Sequence, residues 1–90
     1  MKAVRITGAF KKDLKRVMRR GYDQGLIELI IDQLRSDRPL PASARSHPLK
    51  GVWKGYWDCH IEPDWVLIYQ TTEAEVILVR TGTHADLFGT

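Results

Sequence analysis

The chain has 90 residues, 43% hydrophobic and 28% charged, with a formal net charge of +3; so short a chain forms one globular domain, because it cannot bury two useful cores. Its longest apolar run, Trp65 to Tyr69, is five residues, against the roughly 20 of a membrane-spanning helix, and the opening Met1 to Arg5 lacks the apolar stretch of a secretory signal. A membrane protein is excluded and a cytoplasmic location is expected, in keeping with a lone Cys59 that can form neither an internal disulfide nor, by itself, a thiolate metal cage.

Lys2 to Ile6 alternates polar with apolar and predicts a short strand, with Thr7 or Gly8 placed to start a helix. Phe10, Leu14, Val17 and Met18 then make one apolar stripe at helical spacing, and Lys11, Lys12, Lys15, Arg16, Arg19 and Arg20 fill the remaining surface. Gly21 stops that helix. A second helix is predicted from about Asp23 to Leu34, with Leu26, Ile27, Ile30, Ile31 and Leu34 turned to the core. Pro39-Leu40-Pro41 breaks the helical period. Strands follow: Gly55 to Ile61, with Tyr56, Asp58 and His60 on one face and Trp57, Cys59 and Ile61 on the buried one; Trp65 to Tyr69 after a turn at Glu62-Pro63-Asp64; and Glu75 to Arg80, whose apolar centre suits the middle of a sheet. Helices first and antiparallel strands after define an α+β domain.

The net charge conceals two unlike halves. Residues 1 to 45 carry eleven Lys or Arg against five acids, and residues 46 to 90 carry three against six. The basic helical half points to a polyanion, since each neutralised phosphate releases counterions and so contributes affinity, although a solvated helix face would look the same.

All three histidines, His47, His60 and His84, lie in the other half, near Asp64 and Arg80. Imidazole exchanges a proton at cellular pH and is the usual general acid or base. If the last strand continued to His84, Arg80 and His84 would share a face. Metal binding is disfavoured because the histidines are scattered without zinc-type spacing. Cys59 as a nucleophile is disfavoured because it and His60 point to opposite faces. Ordinary surface histidines are one remaining reading. The other is metal-free RNA cleavage, with one group taking the 2′-hydroxyl proton, another protonating the leaving oxygen and a guanidinium stabilising charge. The aromatic residues among the histidines suit stacking on unpaired bases, with Tyr69 assigned to the core and Trp65 to a rim.

Three segments, His47-Pro48-Leu49-Lys50-Gly51, Gly55 through Tyr69 and Arg80-Thr81-Gly82-Thr83-His84-Ala85-Asp86-Leu87-Phe88-Gly89, closely resemble the YafQ type of the RelE/ParE toxin superfamily. The resemblance spans the chain, and its second half is highly specific. It implies two N-terminal helices packed on a twisted, mainly antiparallel sheet, and a toxin of a type II toxin-antitoxin pair that cuts mRNA in the ribosomal A site without a metal or other cofactor. A cognate antitoxin, the ribosome with its RNA, and mRNA are the implied partners. Carried over by position, His47, His60, Asp64 and His84 are acid-base residues, Arg80 stabilises the phosphate, and Trp65 and Phe88 contact substrate. Within that frame His84 is expected to be the general acid, His60 with Asp64 the group that activates the 2′-hydroxyl, and His47 a positioning partner; Lys11, Lys12, Lys15, Arg16, Arg19 and Arg20 would grip ribosomal RNA. Trp57 stands where the family commonly has arginine, which opens the possibility of stacking in place of a basic contact. Two alternatives have distinct signatures: a ParE-like gyrase inhibitor needs no histidine group, and a catalytically inert RNA-binding module tolerates loss of all three histidines.

Overall fold

A computed structural model of the protein describes residues 1 to 89. Its elements run β1 (Ala3–Ile6), α1 (Gly8–Arg19), α2 (Gln24–Arg35), β2 (His47–Pro48), β3 (Trp57–Glu62), β4 (Trp65–Thr71), β5 (Glu75–Gly82) and α3 (His84–Phe88), with single 3₁₀ turns at Ala42–Ala44 and Gly51–Trp53. The strands form one sheet in the order β1-β5-β4-β3-β2. Among the described residues β1 pairs with β5 in parallel and the remaining pairings are antiparallel. The α+β architecture expected from the sequence is therefore present, with β5 in the sheet interior.

Local chemistry sets the helix ends. Thr7 caps α1, its Oγ1 accepting from the Phe10 amide at 3.0 Å and donating to the Val79 carbonyl at 2.7 Å, so one side chain starts the helix and pins it to β5. Asp23 caps α2 by accepting from the Gly25 amide at 2.8 Å. Phe10 and Val17 from α1, Ile27, Ile30 and Leu34 from α2, and Cys59, Leu67, Val76 and Leu78 from the sheet make a closed core on the helical face. A smaller cluster of Val66, Ile68 and Leu87, packed with Trp53, Tyr56 and Phe88, covers the other face. Among the described residues no helix is long and apolar enough to cross a membrane.

Three expectations change. The last strand ends at Gly82, and His84 opens α3. Thr83 and Asp86 form a capping box there, Asp86 accepting from the Thr83 amide at 3.0 Å while Thr83 accepts from the Asp86 amide at 3.1 Å. Gly82 permits the approach, since a Cβ on it would sit 2.9 Å from the Asp86 carboxylate. Trp57, assigned to the buried face, is 41% exposed because it lies where the sheet runs out to the short β2. Trp65, assigned to a rim, is 1% exposed, its indole edge-on to Tyr22 at 5.0 Å and its Nε1–H donating to Thr81 Oγ1 at 2.9 Å.

Candidate active site

The site forms where the β3–β4 turn meets the start of α3. A bulge at Ile61 shifts the register of β3 just after His60, and the turn that follows, with Glu62 paired to Trp65, carries Asp64 at its tip. Asp64 Oδ1 accepts from both the Nδ1–H and the backbone N–H of His84, at 2.6 and 3.0 Å. These bonds hold the Asp64 carboxyl below the usual carboxylate range, the backbone bond contributing most. They also fix the His84 tautomer and leave Nε2 free for a substrate. The pairing differs from the expected one: Asp64 serves His84, not His60.

His60 lies edge-on to His84, with ring centroids 5.2 Å apart, and the Phe88 ring is 6.2 Å from His84 on the far side. Burial, and then positive charge on His84, pushes the His60 pKa down from its ordinary value, partly offset by Asp58. Two neighbouring imidazoles thus sit in unlike surroundings, His60 partly desolvated and His84 bonded to a carboxylate.

Asp58 joins this group from below. It is 3% exposed, and burial raises its pKa against the opposing pull of His47, His60 and His84. His47, across the ladder from Asp58, donates from Nδ1 to the Arg45 carbonyl at 2.9 Å. The same nitrogen is 3.0 Å from Asp58 Oδ1, but it is committed to the Arg45 carbonyl, and the buried oxygen has no hydrogen-bond partner among the described residues. Asp58→Asn is expected to lower the His60 titration midpoint further, because a carboxylate that favours the imidazolium is lost. Imidazole carbon-proton resonances followed against pH read this directly; an unmoved midpoint would show that Asp58 does not act on His60.

Arg80 is set by a residue that charge counting does not single out. A bulge at Val79 shifts the register of β5 so that Arg80 lies opposite Ile68 and Thr81 opposite Leu67. Asp13, on α1 and 2% exposed, accepts from Arg80 Nε and, at 3.1 Å, from Nη2, and also from the Thr81 amide at 3.2 Å. Arg80 Nη1 takes no part in this clamp. The signal for Asp13 exists in the sequence, where it falls inside the apolar stripe between Phe10 and Val17, a place a merely solvated acid would avoid. Since β5 ends before His84, the turn at Gly82 and Thr83, not strand alternation, relates Arg80 to His84.

Trp65, carried over as a substrate contact, is sealed beneath the sheet and supports the site through Thr81. Phe88, the other aromatic, is half-buried beside His84. Cys59 is fully buried with its pKa pushed up to about 12 by burial, which excludes a thiolate nucleophile. On α1 Arg16 is 3.3 Å from Asp13, and just past its end Arg20 makes a two-pronged pair with Asp86 at 2.7 and 3.2 Å. Lys11, Lys12, Lys15 and Arg19 are exposed and, among the described residues, in no ion pair.

Comparison with known proteins gives this arrangement its context. Residues 2–89 match the family described as the bacterial toxin of type II toxin-antitoxin system, YafQ. The mRNA interferase toxin YafQ of Escherichia coli K12 is 44% identical over 87 residues, covering 96% of this chain and 95% of that protein. The crystal structure of YafQ from E. coli BL21(DE3) superposes with a TM-score of 0.93 at 41% identity, over 99% of this chain and 100% of the other. The toxin in the E. coli DinJ-YafQ toxin-antitoxin complex matches with a TM-score of 0.90 at 43% identity, over 98% of each chain. With the family's model covering residues 2–89 and the same fold in the solved YafQ structures, the chain belongs to the YafQ family of bacterial toxins of type II toxin-antitoxin systems.

Proposed function

We propose that the protein is a ribosome-dependent endoribonuclease that cuts mRNA in the ribosomal A site by metal-free acid-base catalysis and is neutralised by a cognate antitoxin. The observation that carries this reading is the pair of histidines at 5.2 Å, one depressed in pKa by burial and the other bonded to Asp64. His60, neutral at cellular pH, takes the proton from the ribose 2′-hydroxyl. The 2′-oxygen attacks the adjacent phosphorus, the bond from phosphorus to the 5′-oxygen breaks, and His84 Nε2 delivers a proton to that leaving oxygen. The products are a 2′,3′-cyclic phosphate and a free 5′-hydroxyl. Arg80, steered by Asp13, supplies positive charge to the phosphate oxygens, and His47 positions or shares a proton beside Asp58. The name of the E. coli relative, an mRNA interferase, supports mRNA as the target, and the complex of its counterpart with DinJ supports an antitoxin partner.

The ribosome provides what a domain this small lacks, a channel that holds the RNA in line. Mapping of mRNA 5′ ends with purified protein, with and without translating ribosomes, tests the reading: cuts confined to A-site codons on ribosomes are expected, and equal cutting of free RNA or none in either case would refute it. Docking is assigned to Lys11, Lys12, Lys15 and Arg19. Their combined replacement by Gln is expected to weaken ribosome binding by at least tenfold near physiological salt and to flatten its salt dependence, while the rate at saturating ribosomes holds. An unchanged salt slope would place the ribosome contact elsewhere.

A further inference from the structure

Two cavities lie along β3, one of them reaching His60, and one residue belongs to both. The first, of about 620 Å³, opens beneath the loop after α2 and is lined on the sheet side by Trp57, Tyr69 and Thr71 and on the loop side by Arg38, Arg45 and Ser46 among others. The second, of about 380 Å³, is lined by His60 and Ile61 with Ser43, Glu62 and Arg45. Arg45 is therefore the wall between the His60 cavity and the Trp57 cavity. Its backbone is left-handed, with φ 47° and ψ 47°, an uncommon conformation for a residue other than glycine, and its carbonyl receives the His47 Nδ1–H.

The first cavity is chemically suited to one nucleotide. Its volume falls in the range of small-ligand sites. Trp57 offers a large, partly exposed indole, and Tyr69 forms part of the wall with its hydroxyl tied to Ser46 at 2.6 Å. Of the charged groups around it, Lys2 is paired with Asp37 at 2.9 Å and Arg38 with Asp32 at 3.3 Å, whereas Arg45 is in no ion pair among the described residues. An aromatic face beside an uncommitted guanidinium is what a base and its phosphate require. Trp57 lies three residues along β3 from His60, about 10 Å at strand spacing and on the opposite face of the sheet, so Arg45, which lines both cavities, is what joins them.

We propose that Arg45 and Trp57 form a subsite for the nucleotide next to the cut, Arg45 holding its phosphate at the border of the His60 cavity and Trp57 stacking on its base. The inference rests on the ribonuclease reading and adds a source of sequence preference to it: stacking on a single indole favours the larger purine face at that position.

Kinetics on ribosomes programmed with mRNAs that differ only at the nucleotides flanking the A-site cut test this, using the full-length protein and its Trp57→Ala, Trp57→Tyr and Arg45→Gln variants. Trp57→Ala is expected to raise KM roughly 5- to 100-fold, with kcat changed by less than about threefold, and to erase the purine preference at one flank. Trp57→Tyr is expected to restore most of both, which a purely structural role would not predict, and Arg45→Gln to raise KM without altering base preference. Cleavage by the unsubstituted protein with KM and preference unmoved in Trp57→Ala overturns the subsite and leaves the nuclease intact. Loss of antitoxin binding in Trp57→Ala with unchanged cleavage assigns the cavity to protein and likewise overturns it. Absence of cleavage by the unsubstituted protein overturns both readings.

Discussion

Replacement of His84 by alanine is expected to lower the single-turnover rate of mRNA cleavage on programmed ribosomes by about 10²- to 10⁴-fold, the usual contribution of a positioned general acid or base. The leaving 5′-oxygen would then depart unprotonated, and Asp64 would have nothing to orient. Because Asp64 acts through His84, with both of its bonds going to that residue, adding Asp64→Asn to the alanine variant should cost little more; groups that act as one unit do not give additive losses. His84 begins the short surface helix α3 and is not in the closed core, so the variant should melt within a few degrees of the parent. Full cleavage by a folded His84→Ala protein would remove this residue from the mechanism.

The second large effect is expected at Asp13, which touches no substrate. Its carboxylate accepts from two nitrogens of Arg80 and from the Thr81 amide while almost fully buried. Breaking a buried charge pair by deleting one partner typically costs about 3–5 kcal/mol, and the partial exposure of Arg80, at 27%, lets water recover part of that. Asp13→Ala is therefore expected to lose about 2–3 kcal/mol, or roughly 10 to 20 °C in melting temperature for a domain of this size. Activity should fall beyond what unfolding explains, by at least tenfold at a temperature where the variant is still folded, because Arg80 is free to leave the phosphate. Thermal melts paired with single-turnover rates separate the two effects. A destabilised variant of normal specific activity would show that Arg80 needs no clamp.

The sequence announces the scaffold more completely than the site. Hydrophobic period alone places α1 and α2, and β-rich runs place β4 and β5, because burial demands the same spacing in any protein. What escapes is whatever depends on an irregularity. The strand rule sends Arg80 and His84 to one face, yet the strand ends at Gly82 and the capping box at Thr83 turns the chain into α3 before His84. Asp64 sits four residues from His60 and twenty from His84, but it bonds the distant one, since a two-residue turn projects it toward the α3 start. Trp57 and Trp65 exchange their expected environments for a similar reason: alternation assigns a face but not whether that face is covered at the edge of the sheet.

The long reach of these contacts has a consequence for how the toxin comes into being. Arg80 is clamped by a residue 67 positions earlier, Arg20 holds Asp86 across 66, and Thr7 is bonded to Val79 across 72. Closing such loops carries an entropic cost that must be met before the contacts return anything, and it slows folding relative to local pairing. The clamp on Arg80 therefore cannot form within any local segment: it exists only once α1 and β5 have met.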